Sequence, residues 1–298
     1  MARDWEATFR SWSKPSSETE AEKCQNAEGM IRDAIRGHTG LRNVEVDVFS
    51  QGSYRNNTNV RLESDVDICV CCMSSFFYDL SHTNGLTEKD LHIEPARLHF
   101  PEYKDEVERA LVAHFGRDSI QRGNKAFDIH ENTYRVDADA VPCFEHRQYD
   151  QRRGWVSGTA FLSDKDGRKI VNWPKQHYER GVKKNEATGK RFKFITRILK
   201  RLRNEMEETG IAAAASTPSF LIECLVWNVP DSAFGAEQYR DDVRAVVLAA
   251  YNETKTDDAC RSWREVNQMK LLFGSGQPWT RQQANEFLVA AWGYAALK

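Results

Sequence analysis

The 298-residue sequence has no uninterrupted apolar run long enough to cross a bilayer, and its start, Met-Ala-Arg-Asp-Trp-Glu, lacks the apolar stretch and cleavage site of a secretory signal. Both absences point to a cytoplasmic protein with no membrane partner. Charge of one sign is not in excess either: 42 basic against 44 acidic residues leave a formal net charge of −2. A protein that coats DNA or RNA needs surplus positive charge, so no stable nucleic-acid polymer is expected as a partner. Internal repeats and low-complexity tracts are missing as well. Cysteine is sparse and odd in number, with seven residues at 24, 69, 71, 72, 143, 224 and 260, which suits reduced thiols rather than a disulfide framework. Cys69 and Cys72 have CxxC spacing, but no second pair or nearby His completes a zinc site.

What is present suffices for sizeable cores: 40% of the residues are hydrophobic, enough for one large domain or two lobes. Ser16 or Ser17 followed by Glu18 and Glu20 opens a helix to about Arg36, with Ala21, Cys24, Ala27, Ile31 and Ile35 at helical spacing. Residues 44–50 alternate like a half-buried strand, and 66–73 form a second, more apolar strand. A helix is expected over 104–115 and a strand over 133–141, whereas 147–190, punctuated by glycines and Pro174, reads as mostly loop. Helices then follow at about 191–209, 218–228, 236–252, 258–272 and 280–297. The expectation is an α+β chain: a mixed-sheet lobe over residues 1–160 followed by a helical lobe over 161–298.

The chemically informative segment is Gln51-Gly52-Ser53, eleven residues, then Asp65-Val66-Asp67-Ile68. Residues two apart on a strand share a face, so Asp65 and Asp67 project together while Val66 and Ile68 enter the core. Such a pair offers hard oxygen ligands to magnesium, which takes few carboxylates and keeps its other positions for water and phosphate oxygens. Gly52 lets backbone approach a phosphate, and Ser53 adds a hydroxyl and an amide donor, so Gln51, Gly52 and Ser53 are candidate nucleotide contacts. A third acid is expected from a neighbouring strand, where Arg135-Val136-Asp137-Ala138-Asp139-Ala140-Val141-Pro142 presents Asp137 and Asp139 on one face. Spacing alone does not choose between them.

The stretch QGSYRNNTNVRLESDVDICV, with DADAVPCFEHR after it, resembles the polymerase-beta-like nucleotidyltransferases. Within them the chain is similar to the bacterial relatives of cyclic GMP-AMP synthase and oligoadenylate synthetase, the CD-NTases. The resemblance spans almost the whole chain and implies a bilobal molecule with a central active-site cleft. It also implies a pattern Asp-x-hydrophobic-Pro for the third metal ligand, which selects Asp139, with Asp137 as a neighbouring acid. Two Mg2+ ions, or Mn2+ in their place, would then be held by Asp65, Asp67 and Asp139.

Three further segments bear on the same chemistry. In RFKFITRILKRLRNEM, Phe192, Ile195, Leu199, Leu202 and Met206 make one helical stripe while Lys193, Arg197, Lys200 and Asn204 align on the other side. Alone, the basic stripe reads as a solvated face; the resemblance implies that Arg197 and Lys200 meet a triphosphate. Thr217-Pro218-Ser219 reads as a helix start with a capping Thr and Pro in the first turn, placing Ser219 near free amide donors suited to phosphate. Asn172-Trp173-Pro174, together with the N-terminal Ser-Glu-Thr-Glu helix and Thr58-Asn59-Val60-Arg61, is similar to clade E of the CD-NTases. That similarity implies that Asn172 reads a pyrimidine, its amide supplying both a donor and an acceptor.

The implied activity is synthesis of a cyclic dinucleotide from UTP and ATP, or from UTP alone, with release of pyrophosphate. The implied setting is antiphage (CBASS) signalling by a monomeric enzyme whose product activates a separate effector protein. Two other readings compete: a linear oligonucleotide synthase or RNA-tailing enzyme, and an inactive nucleotide-binding sensor. Near-neutral charge weighs against the first, and intact Gly52, Ser53, Asp65, Asp67 and Asp139 weigh against the second.

Overall fold

The structure, a computed structural model, describes residues 3–60, 65–130 and 136–298. In chain order its elements are α1 (Trp5–Trp12), α2 (Glu18–Gly37), β1 (Val46–Ser50), α3 (Gly52–Arg55), β2 (Val66–Asp79), α4 (Phe100–Phe115), β3 (Ile120–Arg122), β4 (Phe127–Ile129), β5 (Ala138–Tyr149), β6 (Trp155–Leu162) and β7 (Lys169–Asn172). Helices complete the chain: α5 (Pro174–Ala187), α6 (Arg191–Glu208), α7 (Ala212–Ala215), α8 (Ser219–Asn228), α9 (Tyr239–Glu253), α10 (Asp257–Cys260) and α11 (Arg281–Tyr294). No described helix is long and apolar enough to cross a membrane.

Two compact units result. The sheet unit comprises residues 17–55 and the described part of 65–174; the helical unit comprises the described parts of 1–16 and 56–60, with 175–298. A division at residue 160 would fall inside β6, and the helical unit also draws in α1 and a short strap from between Ser53 and Asp65.

In the sheet unit, β1-β2-β5-β4-β3 form one path, and β6 pairs with β5 and β7. β2 and β5 run parallel, and the remaining pairs are antiparallel. Residues 138–140 of β5 pair with β4 and residues 144–149 with β6, so one long strand supports both. The Ser17 hydroxyl caps α2 by accepting from the Glu20 amide, and Ala27, Ile31, Ala34 and Ile35 form its buried stripe. Tyr103, Val107, Ala110 and Leu111 do the same for α4, and the Tyr103 hydroxyl donates to the Val70 carbonyl at 2.9 Å. All seven cysteines are unpaired; Cys69 and Cys72, three apart on β2, face opposite sides of the strand.

The helical unit is built around α6 and α8. On α6, Phe192, Ile195, Leu199, Leu202 and Met206 are all buried, as their spacing requires. Helix α8 is apolar almost all round and correspondingly enclosed.

Two expectations are corrected. The 147–190 stretch is β6, β7 and α5 rather than loop. Asp166-Gly167 does make a turn, with Gly167 at φ +65° between β6 and β7. Gly158, by contrast, lies inside β6 where a neighbour packs closely, so glycine there marks crowding and not a break, and Gly181 lies inside α5 with ordinary contacts around it. Over 258–272 only Asp257–Cys260 is helical; the rest forms a small hairpin in which the Glu265 amide meets the Lys270 carbonyl and the Leu272 amide meets the Trp263 carbonyl. The strand expected from 133 begins at Ala138, residues 133–135 lying outside the described residues.

Candidate active site

Sheet register assembles the acids. Asp67 on β2 is the parallel partner of Asp139 on β5, and Asp139 is the antiparallel partner of Asp128 on β4. In-register neighbours share a face, so Asp67, Asp139 and Asp128 form one row across three adjacent strands. Asp65 is exposed just before β2 begins. Asp137 is the residue before β5, and its carbonyl accepts from the Val66 amide at 3.1 Å.

The segment after β1 closes over this row. The Gln51 amide donates to the Asp67 carbonyl at 2.8 Å, and the chain then turns through Gly52 at φ +66° into α3, whose second residue is Ser53. A Cβ on Gly52 would overlap the Asp67 carboxylate. Glycine is therefore needed twice, for the left-handed backbone and for the close approach.

Burial and mutual repulsion define the electrostatics. Burial, then the charge of Asp65, pushes the Asp67 carboxyl up to about 6. Burial, then the charges of Asp67, Asp128 and Asp65, pushes Asp139 up to about 7. Asp65 is raised by burial and by Asp137 and Asp128. Such shifts are expected where buried carboxylates crowd together.

Among the described residues, no three His, Cys, Asp or Glu side chains are gathered closely enough to hold a metal ion by themselves. The row is instead an open, all-oxygen donor set. That fits magnesium or manganese, whose remaining ligands are water and substrate phosphate, and does not fit a thiophilic ion.

Asp128 was not legible as a site residue. Phe127-Asp128-Ile129 does alternate apolar and polar, but a three-residue strand carries too little periodicity to separate from a loop.

Asn172 ends β7, where its register partner is Thr159, itself the partner of Glu145 on β5. Glu145 is six residues beyond Asp139 on the same strand, so Asn172 lies on the face that carries the acid row.

In the helical unit the basic side of α6 is not a solvated face. Arg197 is 2% exposed; its guanidinium donates to the carbonyls of Ser13 and Asn57, and among the described residues no carboxylate pairs with it. Burial lowers its pKa to about 10. One turn earlier, half-buried Lys193 is also lowered, by burial and by Arg197, with Glu223 opposing. Lys200 is fully engaged: its ammonium donates to Glu223 at 2.7 Å and to the Thr58 carbonyl at 3.1 Å. The same Glu223 carboxylate accepts from the Thr58 hydroxyl at 2.7 Å and lies 2.8 Å from His177 Nε2. Burial alone would raise Glu223, yet Lys200 and His177 hold it well below the carboxylate range. This buried hub was also not anticipated, because its members are far apart in sequence.

Ser219 is the first residue of α8, as expected. The cap differs: Pro218 occupies the N-cap position, and the Thr217 hydroxyl donates backwards to the Ala213 carbonyl. Arg61 of the Thr-Asn-Val-Arg segment lies outside the described residues.

A Gly-Ser turn seated against Asp67, with Asp139 in register on the neighbouring strand and Asp65 just before β2, is the arrangement expected of a nucleotidyltransferase. Comparison with known proteins gives the family. Residues 179–296 match the cGAS/DncV-like nucleotidyltransferase C-terminal helical domain. The chain is 46% identical to a cyclic dipyrimidine nucleotide synthase of Legionella pneumophila, over 99% of each chain. It is 38% identical to a cyclic dipurine nucleotide synthase of Elizabethkingia meningoseptica, over 95% of each. The structure of a Rhodothermus marinus c-UMP-AMP synthase with Apcpp and Upnpp superposes with a TM-score of 0.84 at 30% identity, covering 96% of this chain and 94% of that one. The chain belongs to the cGAS/DncV-like nucleotidyltransferases.

Proposed function

We propose that the protein joins two ribonucleoside triphosphates into a cyclic dinucleotide containing uridine, from UTP with ATP or from UTP alone. The observation that carries this reading is the register row Asp67–Asp139, with Gly52 seated against the Asp67 carboxylate. Asp65, Asp67 and Asp139 are the residues that would hold two Mg2+ ions, which supply charge neutralisation at the reacting phosphate and the departing pyrophosphate. The Gly52-Ser53 segment and the Ser53 hydroxyl hold the leaving phosphates, and Gln51 fixes that turn through its amide bond to the Asp67 carbonyl. Arg197, Lys200 and Ser219 are the further candidate triphosphate contacts; Arg197, with which no carboxylate pairs among the described residues, is the strongest of them for an anion, whereas Lys200 would have to leave its ion pair with Glu223 to reach one.

In each round a ribose hydroxyl oxygen bonds to the α-phosphorus of the other nucleotide as its proton departs. The bond from the α-phosphorus to the bridging oxygen breaks, and pyrophosphate leaves with the electron pair. The second round closes the ring when the linear intermediate presents its own triphosphate.

The uridine assignment rests on Asn172, whose amide can both donate to and accept from uracil and which shares the sheet face of the acids. Relatives named for dipyrimidine and UMP-AMP products support it; a dipurine-named relative marks the base as the feature that varies within the family. We further propose that it acts as a monomeric cytoplasmic enzyme in antiphage signalling whose product activates an effector protein.

The test is incubation with all four ribonucleoside triphosphates and Mg2+, beside an Asp65→Ala/Asp67→Ala variant, followed by phosphatase and mass spectrometry. A phosphatase-resistant, uridine-containing dinucleotide made only by the unaltered chain is expected. A purely purine product would sink the base assignment, and a linear ladder would sink cyclisation.

A further inference from the structure

Asn172, the last residue of the edge strand β7, is followed directly by Trp173, which is 4% exposed. Its ring has a specific seat. Gly158 on β6 is the register partner of His146 on β5, and Trp173, the residue just after β7, lays its ring against both. The ring crosses the bare backbone of Gly158 and meets the His146 imidazole edge to face, with centroids 5.4 Å apart and planes at 72°. His146 is itself 2% exposed, so the far wall of the seat is fixed by the core.

No side chain fits at position 158. A Cβ there would stand 2.6 Å from the Asn172 carbonyl oxygen and 2.7 Å and 3.0 Å from two ring atoms of Trp173. The first of these neighbours is backbone and the second a buried ring, and neither is the far end of a flexible side chain that could swing aside. Gly158 also has no left-handed φ that would call for glycine on conformational grounds. Its missing side chain is explained by the close approach alone.

The consequence falls on Asn172. Alternation along a strand puts consecutive side chains on opposite faces, so seating Trp173 on the His146 face turns Asn172 to the face of Asp67 and Asp139. The Asn172 carbonyl is held at the same time against the Gly158 backbone, which fixes the height of its side chain above the sheet.

We propose that Gly158 and Trp173 are positioning residues for base selection: together they set where the Asn172 amide stands, and so determine the enzyme's preference for a pyrimidine triphosphate. This rests on the reading that Asn172 contacts the base. The pair touches no substrate and acts only through Asn172, so its loss should change which nucleotide is preferred more than it changes turnover.

The experiment compares three variants of the full chain, Gly158→Ala, Trp173→Phe and Asn172→Ala, by thermal melting, by separate UTP and ATP affinities, and by the uridine content of product formed from an equimolar mixture. The expected result is that Gly158→Ala, while still folded, loses roughly tenfold in UTP affinity with ATP affinity unchanged. Uridine incorporation should fall towards that of Asn172→Ala. Trp173→Phe, which shortens the ring that crosses Gly158 without adding an atom to the backbone seat, should show a smaller loss of the same sign and serves if Gly158→Ala does not fold. Equal loss for both nucleotides in the positioning variants would mean a structural role only and would overturn the proposal. So would an unchanged UTP-to-ATP ratio in both of them when Asn172→Ala alters it. An unchanged ratio in Asn172→Ala itself would instead remove the base-reading role on which the proposal stands.

Discussion

The Asp67 carboxylate occupies the space that a side chain on residue 52 would need. The turn that offers amides to phosphates and the strand that offers carboxylates to metal are thus in van der Waals contact, with the Gln51 amide bonded to the Asp67 carbonyl at 2.8 Å. Gly52→Ala is expected to act twice. A left-handed non-glycine residue costs about 1–2 kcal/mol of stability, and the methyl also displaces the carboxylate from its place in the row. Loss of turnover by at least about 100-fold is expected from a displacement on the order of 1 Å. Melting should show that the protein remains folded, while steady-state rates with saturating Mg2+ report the catalytic loss; near-normal turnover would separate the turn from the metal site.

Burial and mutual repulsion raise Asp67 to about 6 and Asp139 to about 7, so the metal-free fold keeps protons that an unfolded chain has released. The sign follows from linkage: between the ordinary Asp value of about 4 and those raised values, stability falls as pH rises. Divalent cations compete for the ionised carboxylates, so apparent Mg2+ affinity should increase from pH 6 to pH 8. The check is the melting temperature with and without Mg2+ at both values. Asp139→Asn should be more stable than the unaltered chain at pH 8 without metal, should lose that advantage at pH 5, and should show little Mg2+-induced shift.

Much of this site was readable from local pattern, because a strand's two-residue alternation and a glycine before it are properties of contiguous sequence. Gly52, Asp65 and Asp67 belong to that class, as do Ser17 capping α2 and the apolar stripe on α6. What was not readable depends on register between strands or on contact across long separations. Asp128 gains its meaning only from pairing with Asp139, and Glu223 only from meeting Lys200, His177 and Thr58. The basic side of α6 shows the same limit: periodicity separates it from the apolar stripe but cannot say that Arg197 is enclosed. Gly158 misled for a related reason, since a strand glycine that makes room for a neighbouring ring and a loop glycine look alike in sequence.

Asp128 provides a sharper test of the acid row. Its charge and its hydrogen bond to Asp139 both raise the Asp139 carboxyl, after burial and Asp67. Replacing it with the isosteric amide removes the repulsion, so Asp139 should ionise at lower pH. In Asp128→Asn the acid limb of the activity profile is expected to move down by a fraction of a pH unit to one unit. An unmoved limb, measured over pH 5 to 8 at saturating nucleotide, would show that Asp128 does not act on Asp139.

The Glu223 hub should dominate stability of the helical unit. The carboxylate is 2% exposed, and its partners Lys200, His177 and Thr58 are all buried. Removing one member of a buried ion pair leaves the other charge uncompensated, at a cost of about 3–5 kcal/mol. Glu223→Gln is therefore expected to lower the denaturant midpoint strongly at pH 7. Because Lys200 and His177 hold the Glu223 carboxyl below its ordinary value, against burial, its contribution is complete above that ordinary value. It is lost as pH falls below about 4 towards the depressed value. The difference between Glu223→Gln and the unaltered chain should shrink over that acid window. Adding Lys200→Met, which removes the orphaned charge, should recover part of the loss at neutral pH; if the double variant is no more stable than Glu223→Gln, the cost arises from packing and not from the unpaired ammonium.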